Sequence, residues 1–126
     1  VANIVGTETV VAGEVTARDG ELVRVRVGNV DLVSSVAAEG AVHACIRASD
    51  VMVQVGGRLA SSARNHLPGT VVDLHPLGAL VRVTVDVGFP LECSLTARSV
   101  EELALAPGVQ VSAVLKASAV HLVPRG

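Results

Sequence analysis

The sequence predicts an all-β protein made of two small barrel modules, with one short helix in the second module. Half of the 126 residues are apolar, chiefly Val, Ala and Leu, with one Phe and no Trp or Tyr. Such β-branched composition favours strands. Apolar and polar residues alternate with a period of two, as they do along a half-buried strand. Several segments also occur twice in the same order, which is typical of two related modules.

Three segments of the sequence recur. Gly-Glu-Val at 13–15 returns as Gly-Thr-Val at 69–71, Leu-Val-Arg-Val-Arg-Val at 22–27 as Leu-Val-Arg-Val-Thr-Val at 80–85, and Ile-Arg-Ala-Ser at 46–49 as Leu-Lys-Ala-Ser at 115–118. The offset between the copies increases from 56 to 58 to 69 residues, so the second copy contains an insertion late in the unit. We therefore predict two modules, residues 1–57 and 58–123.

The two ends of the chain suggest processing. The chain begins at Val1 without a Met, and it ends in Leu-Val-Pro-Arg-Gly at 122–126, a sequence typical of a thrombin-cleavable tag. We expect a fragment or a processed chain in which residues 124–126 are a tag remnant without a functional role.

Within each module the period of two predicts short strands. Val23, Val25 and Val27 point to one face of such a strand, and Arg24 and Arg26 point to the other. Turn-forming Gly, Asn and Pro residues separate this run from its neighbours. Four or five short strands per module are too few for a sandwich, so the pattern predicts a small closed barrel of the OB type in each module.

The late insertion predicts the single helix. Ser99 and Glu102 have the spacing of a capping box, in which the Ser caps the helix and the Glu occupies its third position. We expect a helix from about Val100 to Ala104, with Ser99 as its N-cap, that ends before Pro107.

Composition argues against nucleic acid and membrane as partners. The net charge of −2 gives no attraction to polyanions. Many OB barrels bind single-stranded nucleic acid, but this requires stacking aromatic residues and a basic groove, and Phe89 is the sole aromatic residue. No apolar run approaches the ~18 residues of a membrane span. We expect no nucleic-acid partner and no membrane insertion.

The sequence also contains no catalytic or metal-binding motif. Its four histidines are scattered, without an HExxH or CxxC pattern. It has neither the GxSxG motif of a nucleophile nor the Gly-rich loop of an ATPase. Cys45 and Cys93 lie in strand-like runs and are interpreted as buried residues in a reducing cytoplasm. We predict that this chain is not an enzyme and holds no metal cation or organic cofactor.

Three segments of the second module resemble the molybdate-binding Mop modules. Ser-Ala-Arg-Asn at 62–65 with Gly-Thr-Val at 69–71 is similar to their opening, Thr-Ala-Arg-Ser-Val-Glu-Glu-Leu at 96–103 to their central segment, and Lys-Ala-Ser at 116–118 to their closing strand. These matches extend over nearly all of 62–123. The resemblance implies an oxyanion site formed by Ser62, Ala63, Arg64, Thr96, Ser99, Lys116, Ala117 and Ser118.

The chemistry of these side chains agrees with the resemblance. A tetrahedral dianion that leaves water needs donors and positive charge in place of its hydration. At an effective dielectric constant of about 20, a cation about 4 Å away contributes roughly 4 kcal/mol per unit of negative charge. Arg64 and Lys116, the only lysine, are the candidate cations. The hydroxyls supply hydrogen-bond donors, and the start of the predicted helix supplies free N–H groups.

Each segment also has a purely structural interpretation. Residues 62–65 would serve as a polar linker, Thr96 and Ser99 as helix caps, and Lys116 as a solvated strand residue. The occurrence of all three in the family's order favours binding.

The first module differs from the second at these positions. Glu8 corresponds to Arg64 at the 56-residue offset, and the segment equivalent to 96–103 is missing. Only Arg-Ala-Ser at 47–49 retains the resemblance. The first module is instead similar to the transport-associated OB (TOBE) fold of importer ATPases, and residues 1–6 resemble the exit from the ATPase domain. We expect this module to complete the fold without a full site of its own.

The resemblance implies a C-terminal regulatory domain of a molybdate or tungstate ABC importer ATPase. Such a domain would be cytoplasmic, at the inner face of the membrane. It would form a homodimer with oxyanion sites near the subunit interface, and its partners would be the ATPase and permease subunits. Three alternatives remain open: a free molybdate-storage protein of two Mop modules, the effector domain of a molybdate-responsive transcription regulator, and a ligand-free TOBE dimerisation domain.

Overall fold

The computed structural model describes residues 2–5, 8–56 and 63–125. Within these ranges it has one α-helix, α1 (Ala97–Glu102), and 3-10 turns at Ala48–Asp50 and Ala117–Ala119. None of these helices is long and apolar enough to cross a membrane. The predicted all-β class, with a short helix in the second module, is confirmed. The strands are β1 (Ala2–Val5), β2 (Glu8–Asp19), β3 (Leu22–Val27), β4 (Val30–Ser34), β5 (Ala41–Arg47), β6 (Met52–Gln54), β7 (Asn65–Leu77), β8 (Leu80–Asp86), β9 (Pro90–Thr96), β10 (Gln110–Leu115) and β11 (Val120–Pro124).

The strands form two antiparallel sheets. The first sheet has the order β11-β5-β2-β3-β4, with β1 beside β2, and the second has the order β6-β10-β7-β8-β9. The outer strands of the first sheet meet, because the Ser34 hydroxyl donates a hydrogen bond of 2.6 Å to the Val120 carbonyl. Close by, the Ser35 N–H donates to the Ala117 carbonyl at 3.3 Å. These contacts close the first sheet into a barrel without a further strand ladder.

The valine alternation forms the core. Val23, Val25 and Val27 are buried, whereas Arg24 and Arg26 on the opposite face of β3 are exposed. The equivalent strand β8 buries its valines in the same way. Each such side chain contributes roughly 1.5–3 kcal/mol by burial. The buried residues of both sheets belong to one continuous cluster, so the two halves of the chain share a core.

The recurring glycine marks the closest approach between strands in each copy. A Cβ atom at Gly13 would lie 2.8 Å from the Arg26 carbonyl oxygen, and one at Gly69 would lie 2.6 Å from that of Asp86. Only glycine fits where the long strands β2 and β7 pass so near β3 and β8 respectively. Just after each of these glycines the register of the long strand shifts at a bulge. The repeated Gly-x-Val sequence therefore marks the same bend in both copies.

The last strand of each copy pairs with the opposite sheet. Strand β6, which follows the first copy, pairs with β10, and β11, which follows the second, pairs with β5. A 3-10 turn precedes each exchanged strand, at Ala48–Asp50 and at Ala117–Ala119. Each sheet thus contains a strand from the other copy. A boundary at residue 57 stays a prediction, because residues 57–62 lie outside the described ranges.

Two of the three residues assigned to a tag remnant contact the first sheet. Pro124 is the last residue of β11 and pairs with Val42. Arg125 donates its backbone N–H to the Ala41 carbonyl at 3.0 Å and its Nη2 to the Gly13 carbonyl at 3.2 Å. These contacts extend the edge strand, and the origin of the residues stays a prediction.

The α-helix begins earlier than predicted. It spans Ala97–Glu102 instead of residues 100–104, and its N-cap is Thr96. The Thr96 hydroxyl oxygen accepts a hydrogen bond from the Ser99 N–H at 3.1 Å. The prediction of Ser99 as N-cap is therefore wrong, because a capping oxygen is already present three residues before it.

The end of the helix contains a strained residue that offers a test of this geometry. Ala104 has φ 52°, a left-handed conformation that disfavours side chains with a Cβ atom by roughly 1–2 kcal/mol. We expect Ala104→Gly to raise the free energy of unfolding by about 0.5–1 kcal/mol in urea denaturation. Ala106→Gly, at an exposed position without positive φ, should lower it. A loss of stability in Ala104→Gly would contradict the strained conformation.

Candidate functional site

Arg64 and Lys116 form a cation pair at the end of a strand ladder. Asn65, the first residue of β7, pairs with Leu115, the last residue of β10. Because the strands are antiparallel, the residues next along, Arg64 and Lys116, lie at the same end of this ladder. Both are exposed, and neither forms an ion pair within the described ranges. Two positive charges without an ion-pair partner therefore lie at one end of the ladder, where an anion would be attracted.

Asn65 fixes the position of the cation pair. Only 2% of Asn65 is exposed. Its Oδ1 accepts a hydrogen bond from the Val33 N–H at 2.8 Å, and its Nδ2 donates to the Val33 carbonyl at 2.9 Å and to the Leu115 carbonyl at 3.4 Å. Asn65 thus ties β7 to β4 on one side and to β10 on the other. The linker interpretation of residues 62–65 does not hold for Asn65.

The segment that follows Lys116 turns sharply at Ala117–Ala119. The Ala119 N–H donates to the Lys116 carbonyl at 3.0 Å, and the Ala117 carbonyl accepts from Ser35. Ala117 is 7% exposed, so its methyl group faces the core and only its backbone is available to a ligand. Ser118 is exposed beside it.

The other residues of the predicted opening segment are less well placed. Ala63 is half-buried, and Ser62 lies outside the described residues. Ser35 is exposed and lies next to Ala117, a position that sequence reasoning missed. No motif marks Ser35, because its proximity to the cation pair arises from the contact between β4 and the turn before β11.

Thr96 and Ser99 form a second group, the hydroxyl pair. The Thr96 hydroxyl donates to the Ser99 Oγ at 2.9 Å while accepting from the Ser99 N–H. Thr96 caps the helix, as the structural interpretation supposes, and Ser99 lies in its first turn. The exposed Thr96 and the half-buried Ser99 remain at the surface. The hydroxyl pair is thus compact and fixed by its own hydrogen bonds.

The structure does not bring the hydroxyl pair to the cation pair. Thr96 pairs with Leu80, and Leu80 pairs with Leu77, the last residue of β7. Arg64 immediately precedes the first residue of the same strand. The two groups therefore lie at opposite ends of a 13-residue strand, which at about 3.3 Å per residue spans at most roughly 40 Å. Within one chain the predicted set is divided in two.

The first copy has a different charge at the place equivalent to the cation pair. Glu8 pairs with Arg47 across β2 and β5, where the second copy has Arg64 and Lys116. The acidic and basic side chains compensate, so this position offers no net positive charge to an anion. The charge of Glu8 also raises the pKa of the Cys45 thiol, after the larger effect of burial.

A metal site and a reactive thiol each place their own requirements on the described residues. No group of three His, Cys, Asp or Glu side chains among them has a geometry suited to a metal ion. Burial, with a smaller contribution from Glu92, raises the pKa of Cys93 to about 12, so this thiol is protonated at neutral pH and is a poor nucleophile.

The chain is similar to proteins of molybdenum transport and of molybdate or tungstate import. The TOBE domain family matches residues 61–122. The molybdenum transport protein ModE of Azotobacter vinelandii is 38% identical over 68% of this chain and 32% of its own length. The molybdate/tungstate import ATP-binding protein WtpC of Pyrococcus horikoshii is 33% identical over 98% of this chain and 34% of its own length. The chain thus spans about a third of the length of these relatives.

A solved structure is similar over nearly the whole chain. The cytoplasmic molybdate-binding protein ModG, solved with molybdate bound, is 32% identical, with a TM-score of 0.76 over 90% of this chain and 93% of that chain. The similarity extends across both copies and both sheets. The shared fold and the sequence similarity together establish that this chain belongs to the TOBE/Mop domain family.

Proposed function

We propose that this domain binds molybdate or tungstate at the cation pair. The observation that carries the proposal is the placement of Arg64 and Lys116 at the same end of the ladder between β7 and β10, next to the buried Asn65, where both are exposed and neither forms an ion pair in the described ranges. A tetrahedral dianion accepts hydrogen bonds and donates none, and both side chains are obligate donors. ModG, ModE and WtpC all carry molybdate, molybdenum or tungstate in their names, which supports the choice of anion.

The remaining donors would come from the neighbouring turn. The Ser118 hydroxyl, the Ala117 N–H and, by family resemblance, Ser62 and Ala63 complete the predicted contacts on this side. Ser35 adds a hydroxyl from the first copy. A rigid set of donors of this kind would select anions by size, because an anion that is too small leaves some donors unpaired.

Thr96 and Ser99 would complete the site from a second copy of the chain. They lie at the far end of β7, so their own cation pair is out of reach. In a two-fold dimer the hydroxyl pair of each subunit would reach the cation pair of the other subunit. Each dimer would then have two equivalent sites. We propose a homodimer on this ground, with oxyanion bound at the subunit interface.

The proposed role is that of a cytoplasmic regulatory domain in a molybdate or tungstate importer ATPase. Through this binding, the ATPase and permease subunits would respond to the oxyanion concentration inside the cell. Support comes from the two WtpC proteins of Pyrococcus, which align with 97–98% of this chain and about a third of their own length. TOBE/Mop domains are binding domains, so ATP hydrolysis would belong to a different part of such a protein.

A free cytoplasmic binding or storage protein is the second candidate. The observation that favours it is the match to ModG, which covers 93% of that chain. The gene separates the two candidates, because an importer subunit would encode an ATPase domain in the same reading frame as residue 1. The number of oxyanions bound per chain separates them as well, since a storage protein would use both copies.

The role of Lys116 provides the test of the proposed site. We expect Lys116→Ala to weaken molybdate binding at least tenfold in calorimetric titration, because a hydrogen bond from a charged donor contributes roughly 1.5–3 kcal/mol. The melting temperature without ligand should change little, since the side chain is exposed. Arg47→Ala, at the equivalent position of the first copy, is the matched control and should bind as the parent does. An unchanged dissociation constant in Lys116→Ala would return this lysine to the role of a solvated strand residue.

A further inference from the structure

A cavity of about 300 Å³ lies between Arg64 and the hairpin of β2 and β3. Leu22, Val23 and Val33 form its apolar wall, and Asp19, Arg24 and Arg64 supply its charges. At about 30 Å³ per water molecule the cavity has room for roughly ten waters, more than a five-atom oxyanion occupies. An apolar cavity of this size with a few charged groups is typical of a site for a small organic ligand.

The two arginines of the cavity have no partner in the described part of the chain. Neither the Arg24 nor the Arg64 guanidinium forms a hydrogen bond or an ion pair there. The cross-strand neighbours of Arg24 on β2 and β4, Ala17 and Val33, are uncharged. Among the described residues that line the cavity Asp19 is the one acid, so these residues carry a net charge of about +1 and favour an anion.

The equivalent place in the second copy has the opposite charge. Glu8 occupies the position equivalent to Arg64, because the two copies are offset by 56 residues in this part of the sequence. Asn65 bonds to Val33 in β4, and its counterpart Thr9 accepts a hydrogen bond from the Glu92 N–H in β9 at 3.1 Å. Val33 therefore corresponds to Glu92. The cavity thus has Arg64 and Val33 beside Arg24, whereas the equivalent place has Glu8 and Glu92 beside Arg82, the counterpart of Arg24. Only the first arrangement has a net positive charge that suits an amphipathic anion.

We infer that this cavity binds a small organic anion, a carboxylate attached to an apolar group, through Arg24 and Arg64. The carboxylate would receive hydrogen bonds from both guanidinium groups, a geometry that arginine provides well. The apolar part would pack on Leu22 and Val33, which lie on the same face of the sheet as Arg24. Because Arg64 also belongs to the proposed oxyanion site, the organic anion and molybdate would compete for it, and this competition rests on the proposed function.

Titration with benzoate, followed by NMR of the labelled domain, tests the inference. We expect benzoate to shift the methyl signals of Leu22 and Val33, and uncharged benzyl alcohol to leave them unchanged. Arg24→Ala should weaken benzoate binding at least tenfold, because it removes a charged hydrogen bond. Arg26→Ala, two residues along the same face of β3 and outside the cavity lining, should bind benzoate as the parent does. Arg24→Gln is a second variant that keeps the aliphatic stem and a polar end without the charge, in case Arg24→Ala is unstable.

Two results would overturn the site. One is the absence of a benzoate-dependent shift in the parent, and the other is equal affinity in the parent and both Arg24 variants. Competition is measured separately, by titrating molybdate with and without saturating benzoate. Benzoate should raise the apparent dissociation constant for molybdate in the parent and leave it unchanged in Arg24→Ala. If benzoate does not raise it in the parent, the two anions do not share Arg64. A domain that binds no molybdate at all would refute the proposed function, and the benzoate titration would still decide whether the cavity is an anion site.

Discussion

Arg64→Glu should abolish oxyanion binding and leave the domain folded. The substitution removes one charged donor and places a negative charge beside Lys116, so two effects of roughly 1.5–3 kcal/mol each oppose the anion. The dissociation constant for molybdate should therefore rise by at least about 100-fold in calorimetric titration. Circular dichroism should be unchanged, because Arg64 is exposed and the adjacent Asn65 makes the structural contacts.

Arg47→Glu is the matched control for this charge reversal. Arg47 is also exposed at the end of a strand, on the copy where Glu8 already opposes it. Arg47→Glu changes the net charge by the same amount as Arg64→Glu, and it should reduce the affinity for molybdate only slightly. Equal losses in the two variants would mean that overall charge, and not a contact from Arg64, governs binding.

Asn65→Ala should cause the largest loss of stability. It removes three hydrogen bonds from a side chain that is only 2% exposed, and leaves the N–H and carbonyl of Val33 without their partner. Because a buried polar group without a partner costs about 1–3 kcal/mol, we expect the free energy of unfolding in urea to fall by about 3–5 kcal/mol.

Thr9→Val provides the comparison for Asn65. Thr9 is fully buried at the equivalent position of the first copy, and its hydroxyl accepts one hydrogen bond, from the Glu92 N–H. Loss of this hydrogen bond should lower the free energy of unfolding by about 1–2 kcal/mol. If Asn65→Ala were no more destabilising than Thr9→Val, Asn65 would not be the main link between β7 and the first copy.

The strands could be predicted from the sequence because their signals are local. Alternating valines, turn residues and the recurring glycine act within a few residues of the chain, and the structure has the same alternation in β3 and β8. The exchange of β6 and β11 could not be predicted. A short apolar run specifies a strand, but it does not specify which of two similar sheets that strand joins.

The helix was predicted in the correct insertion with the wrong start. Thr96 and Ser99 both precede a plausible first turn, and Ser99 with Glu102 has the familiar capping-box spacing. The observed start at Ala97 uses Thr96 as cap and leaves Glu102 to form an ion pair with Arg98 at 3.5 Å. Thr96 and Ser99 both fit the sequence pattern of an N-cap, and residue spacing alone does not show which of them caps the helix.

The candidate site residues stay predictions, and the structure refines their geometry. Arg64 and Lys116 lie together because of the register between β7 and β10, which the sequence does not specify. Thr96 and Ser99 lie at the opposite end of β7. Ser35 was missed because it reaches this region only through a tertiary contact with the turn at Ala117–Ala119. The sequence indicated which residues could bind an oxyanion, but it did not indicate that they lie at the two ends of one strand.

The number of oxyanions bound per chain tests the account most directly. Only the second copy combines two cations at the end of its ladder, while the first combines Glu8 with Arg47. Calorimetric titration with molybdate should therefore give about one tight site per chain, with much weaker binding of sulfate. Two tight sites per chain would contradict the assignment of a single site to Arg64 and Lys116 and would favour storage, and the absence of any site would leave a TOBE domain that binds no oxyanion.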